Sequence, residues 1–177
     1  METFDELFEG TLKDIYYAEK AILKALPKMA KKASSRKLES ALTKHHRETE
    51  RQVERLAKVF AIIGKKPAGK RCPAIDGILE EGEVVMKEAK DDTIRDAAML
   101  AAAQSVEHYE ISRYGTLVAW AEKLGHSDAA KLLQQTLDEE KLTDETLSRL
   151  ADSEINIEAA EADEEDDEKR SRRTASR

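Results

Sequence analysis

Eight residues of this chain have types and spacing suited to chemistry: Glu19, His45, Glu48, Gln52, Glu107, Glu110, Glu140 and Asp144. Each falls on the apolar stripe of a helical segment, where Leu or Ile is expected. A carboxylate that enters a dry core must be protonated, meet a basic partner or hold a metal cation, because an unpaired buried charge is costly. No Lys or Arg occupies these stripe positions, which leaves metal as the leading remedy. Carboxylates with one imidazole suit iron or manganese. Any one of the glutamates alone is more simply read as partly exposed or paired. His45 fits a core histidine bonded to a carboxylate equally well. The joint placement carries the argument.

That placement follows from counting along the helices. Glu19 lies 15 residues before Ser34, and Glu48 lies 14 after it. At about 1.5 Å per residue, both stand roughly 21–23 Å from the turn at Ser34. Glu110 lies 15 residues before Gly125, and Glu140 lies 14 after His126. Glu107 and Asp144 sit one turn further from the Gly125–His126 turn. Four helices therefore bring acid to one level, about halfway along a bundle. Glutamates on four facing helices are how dinuclear carboxylate bundles are built. The usual Glu-x-x-His motif is missing; His45-x-x-Glu48-x-x-x-Gln52 and Glu140-x-x-x-Asp144 stand in its place.

The elements that hold these residues are long amphipathic helices. The spacing predicts helices over about 3–33, 36–63, 93–124 and 127–151, the first kinked by Pro27. Ser34-Ser35, Asp91 or Asp92, and Ser127 are candidate N-caps; Gly64 and Gly125 are candidate C′ residues. A short helix over 73–90, interrupted by Gly77 and Gly82, is expected inside a long crossover between the second and third long helices. Links that run short, long, short predict an all-α, ferritin-like four-helix bundle over residues 1–155. Residues 156–177 read as a disordered tail. Seven of its residues between Glu161 and Glu168 are acidic, and Lys169, Arg170, Arg172, Arg173 and Arg177 follow.

A net charge of −7 argues against non-specific nucleic-acid binding. The lone cysteine, Cys72, cannot form an intrachain disulfide, and neither a membrane span nor a secretory leader is recognisable; a cytoplasmic protein is expected. The stretch from Gly64 to Lys70 has P-loop spacing, but Arg71 replaces the required Ser or Thr and a helix precedes it, so nucleotide binding is set aside. Cys72 reads as loop packing. Tyr16, Tyr17, Tyr109 and Tyr114 lie near the acidic level and read as core. His46 and His108 fall off the stripes and read as solvated.

Several stretches are similar to the YciE/YciF-like family of ferritin-like bacterial stress proteins. They are Leu12-Lys13-Asp14-Ile15-Tyr16-Tyr17-Ala18-Glu19, His45-His46-Arg47-Glu48-Thr49, Cys72-Pro73-Ala74-Ile75-Asp76-Gly77, Val106-Glu107-His108-Tyr109-Glu110 with Tyr114-Gly115-Thr116-Leu117, and Leu137-Asp138-Glu139-Glu140. The resemblance runs from about Leu7 to Ala151. It implies a metal-binding bundle, a homodimer, and a part in stress responses. It implies no settled reaction, and no catalytic residue is assigned.

Two readings of different class follow. In one, iron or manganese forms a dinuclear centre that reacts with peroxide or oxygen, with Glu19, Glu48, Glu107 and Glu140 as core ligands. Glu110, Asp144 and His45 complete or tune it. In the other, the chain is a non-catalytic helical dimer with a structural, interaction or metal-buffering role.

Overall fold

Three helices begin where the sequence offers a side-chain oxygen to free backbone N–H groups. A computed structural model describes residues 1–162. Helix α1 (Phe4–Ala30) is capped by Thr3, whose hydroxyl accepts from the Glu6 N–H at 3.1 Å. Helix α2 (Arg36–Ile62) is capped by the Ser35 hydroxyl, and α4 (Asp92–Lys123) by the Asp91 carboxylate, which accepts from the N–H groups of Thr93 and Ile94. Helix α3 (Pro73–Glu88) starts on a proline, which lacks the N–H that a first turn leaves unpaired. Helix α5 (Ser127–Leu150) departs from expectation: Ser127 is its first residue, and His126 holds the cap position without a side-chain bond. Gly125, at a φ of 78°, ends α4 and lets the His126 N–H reach the Ala121 carbonyl at 2.8 Å. The reversal is complete one residue earlier than a serine cap would need.

The links are short between α1 and α2, long between α2 and α3, and short between α4 and α5. Helices α1, α2, α4 and α5 enclose one core, while α3 lies along α4 and also touches α1. This is the expected all-α bundle with a helix inside its crossover. Pro27 sits in the last turn of α1, which continues to Ala30. Gly77 and Gly82 do not interrupt α3. A Cβ at Gly82 would stand 2.9 Å from the Ala102 Cβ, so the glycine permits the close approach of α3 to α4. That fit outweighs its poor helix propensity.

After α5 the chain makes a π-helical turn over Ala151–Ile155 and stays helical through residue 162, so the expected boundary at 156 falls inside a helix. The rest of the predicted tail, 163–177, lies outside the described residues. Among the described residues no helix is long and apolar enough to cross a membrane.

One long-range anchor fixes the register of the bundle. Asp96, buried on α4, accepts hydrogen bonds from the backbone N–H groups of Ser34 and Ser35 and from the Ser34 hydroxyl, at 2.6–3.1 Å. Ser35 and Lys37 in turn hold Glu154 of the π-helical turn. The α1–α2 turn is thereby pinned against α4 and the end of α5. Hydrogen bonds to a buried carboxylate are among the stronger ones. Asp96→Ala strands several donors and is expected to cost about 3 kcal/mol in urea unfolding. A loss below about 0.5 kcal/mol would show that the anchor is dispensable.

Candidate metal centre

The bundle buries four glutamates and a histidine at its middle. Glu19, Glu107, Glu110 and Glu140 are completely inaccessible, and His45 is 3% exposed. They come from all four long helices. Around them the stripes are apolar: Leu12, Ile15 and Ile22 on α1, Leu42 and Leu56 on α2, Ala103 and Leu117 on α4, Leu137 and Leu147 on α5. The acids are therefore interruptions in an otherwise closed core, held at a common height by helices that start from fixed turns.

His45, Glu107, Glu110 and Glu140 each offer one donor atom within 4.8 Å of all the others. His45 Nδ1 lies 3.1 Å from Glu107 Oε1, and His45 Nε2 lies 3.9 Å from Glu140 Oε2. Glu19 stands beside them, with one oxygen accepting a hydrogen bond from the buried Tyr114 hydroxyl. No well-aligned hydrogen bond reaches its other oxygen, either oxygen of Glu107, Glu110 and Glu140, or either ring nitrogen of His45, although His45 Nδ1 and Glu107 Oε1 stand close enough for an electrostatic contact. Buried polar atoms are nearly always satisfied in native proteins. A cluster of orphaned oxygens and nitrogens facing one another fits a divalent metal: hard oxygen donors, one imidazole, and a common focus.

The remaining sequence candidates are placed differently. Glu48 is at the edge, its side chain 15% exposed, with Lys44 Nζ at 3.3 Å and Arg51 at 3.9 Å. The Asp144 side chain is 23% exposed, and His108 Nε2 approaches it at 3.2 Å from the surface. Neither belongs to the close-set group. Gln52 is buried, but its amide nitrogen donates to Glu139 at 3.1 Å, and its Oε1 has no partner.

Two features escape the sequence reading. A buried cation is present after all: Arg55 on α2 donates to both oxygens of Glu139 at 2.8 and 2.9 Å and to the Thr136 hydroxyl at 2.6 Å. Its position three residues after Gln52 is the signal, one turn along the same face. Tyr114 is the other, core as expected but also the donor to Glu19. Cys72 is buried packing, with its sulfur 3.0 Å from the Tyr109 hydroxyl.

Electrostatics match the burial. Loss of water pushes Glu19 up to about 8, against the Tyr114 hydrogen bond and the charge of Arg55. Glu107 is likewise pushed up to about 8 by burial. Glu110 and Glu140 are driven well above the carboxylate range, by burial first and then by their acidic neighbours. Burial holds His45 down to about 4, so its ring is neutral and free to act as a ligand.

The geometry now meets the known proteins. Residues 3–160 match the family described as a domain of unknown function, DUF892, and the chain belongs to it. Protein YciF of Escherichia coli K12 is 44% identical over 160 residues, covering 90% of this chain and 96% of its relative. The crystal structure of that protein, titled a stress protein, superposes with a TM-score of 0.84, covering 88% of this chain and 99% of the other. YcfI from Rhodopseudomonas palustris, provisionally described as a structural protein, is 51% identical with a TM-score of 0.82, covering 83% of this chain and 94% of the other. A Xanthomonas campestris protein at 19% identity shares the fold, with a TM-score of 0.73 over 92% of this chain and 99% of the other.

The shifted carboxyls predict how the metal-free protein responds to pH. Unfolded glutamates ionise near 4.5, whereas Glu19 and Glu107 keep their protons in the fold up to about 8. Between those values the folded state holds more protons, so stability falls as pH rises. His45 acts oppositely, adding stability as pH rises from about 4 to its ordinary 6.5. Above 6.5 only the carboxyls contribute. The melting temperature in chelator is therefore expected to drop from pH 6.5 to pH 8, and Glu140→Gln is expected to flatten that slope. A melting temperature that rises across this window contradicts the account.

Proposed function

We propose that this protein is a dinuclear iron or manganese carboxylate protein whose centre reacts with oxygen or peroxide as part of a stress response. The observation that carries the reading is the set of orphaned donors: fully buried oxygens of Glu107, Glu110 and Glu140 with no partner, beside a neutral His45. Glu19 supplies a further free oxygen, while Tyr114 fixes the angle of its carboxylate. Glu48 and Asp144, at the edge of the layer, would be the further carboxylates available to such a pair. Gln52 and Arg55 hold Glu139 next to Glu140 and keep α2 and α5 in register.

A redox-active metal pair would supply electrons to a small oxidant. The chain's own residues bind the ions, neutralise their charge, exclude bulk water and retain protons on carboxyls that ionise late. The association with stress rests on the likeness to YciF, which is described as a stress protein. The reading also takes the protein to be a cytoplasmic homodimer that does not act on nucleic acid, in keeping with its net charge of −7 and single cysteine.

A second reading is favoured by one observation: carboxyls pushed up to about 8 are largely protonated at neutral pH, and so a neutral, vestigial polar core is self-consistent. That would make the chain a structural dimer; YcfI is provisionally described as a structural protein.

Elemental analysis separates the two. Protein from iron- and manganese-supplemented growth is expected to carry about two metal ions per chain, as dinuclear bundles do. Metal removal is expected to lower its melting temperature, because a ligand bound only to the folded state stabilises it. Fewer than about 0.2 equivalents, together with a neutral or stabilising Glu48→Leu/Glu140→Leu double substitution, would establish the structural reading.

A further inference from the structure

A groove runs between α1, α3 and α4, with a volume of about 160 Å³. Its floor is apolar, formed by Ala25, Met29, Leu79, Met86 and Val106. Directly beneath it is a void of about 10 Å³, lined by Ile22, Leu26 and Ala103 and, at its inner end, by His45 and Glu107 of the candidate centre. Groove and void share four walls: Ala25, Met29, Leu79 and Val106. The two cavities thus abut at those four side chains, one opening to the surface and the other reaching the edge of the carboxylate cluster. Three helices line the groove, and the missing side chain of Gly82 draws α3 close against α4 along its outer wall.

We infer that the two cavities form a path that admits dioxygen to the centre, with Ala25, Met29, Leu79 and Val106 as its selective neck; the inference rests on the dinuclear reading above. Three properties point to an apolar diatomic molecule. The inner void is only about 10 Å³, which favours the smallest substrates. Its walls are hydrocarbon and thioether until His45 and Glu107, so hydrogen peroxide would have to shed its hydrogen bonds to pass. The mouth is rimmed by exposed Lys24 and Lys28 on α1 and Lys32 just past its end, against a single acid, Glu83. That rim repels divalent cations, and the apolar neck strips no hydration shell.

The path can be tested without any metal. Methyl relaxation is measured in the metal-free protein under dioxygen and under nitrogen, since paramagnetic dioxygen speeds relaxation where it dwells. The methyls of Met29, Leu79, Val106 and Ala103 are expected to respond several-fold more than those of Leu12 and Leu56, which are at least as deeply buried. Ala25→Phe is expected to abolish the response at Val106 and Ala103. Leu79→Trp narrows the same neck from α3 and guards against a folding artefact in the first variant. Equal responses at all buried methyls would overturn the path. In iron(II)-loaded protein, either variant is expected to slow oxidation by dioxygen roughly tenfold and leave iron(II) binding intact. Equal slowing with peroxide would overturn the assignment to dioxygen. Failure to load iron, with the methyl response intact, would count against the dinuclear reading and leave the path standing.

Discussion

Four carboxyls and an imidazole with unpartnered atoms, packed into the dry middle of a helical bundle, are the constraint on which the rest of this structure depends. Removing one carboxylate from water is expensive, and several facing each other repel as well. The fold answers partly by protonation, visible in the raised values of Glu19 and Glu107. Protonation alone leaves the oxygens without partners. The cations proposed above would give those oxygens partners.

The surrounding elements read as supports for that focus. Asp96 pins the α1–α2 turn to α4, which sets the height of Glu19 and His45 against Glu107 and Glu110. Arg55 and Glu139 brace α2 against α5 beside Glu140. Tyr114 leaves Glu19 one free oxygen and one fixed one. Helix α3 covers the α1–α4 seam, closely enough at Gly82 to leave no room for a methyl group. Between it and α1 lies the groove lined by Ala25, Met29, Leu79 and Val106.

Much of this was legible in the sequence because a helix converts residue number into height. Counting from Ser34 and from Gly125 put Glu19, Glu110 and Glu140 at one level, and all three are fully buried. Depth was less legible. Glu48 and Asp144 sit at the right height but on the margins of their stripes, where a small rotation separates core from surface. Arg55 was passed over because its burial makes sense only with Glu139 across the interface, a pairing that no spacing within one helix reveals. Gly82 read as a helix interruption because propensity is local, whereas its role is a contact with Ala102 on another helix.

An anomalous-scattering map of crystals grown with iron or manganese tests the central claim most directly. The account predicts two strong peaks at the middle of the bundle, among Glu19, His45, Glu107, Glu110 and Glu140. A map without peaks there, in crystals whose surface carboxylates do bind the same metal, would contradict it.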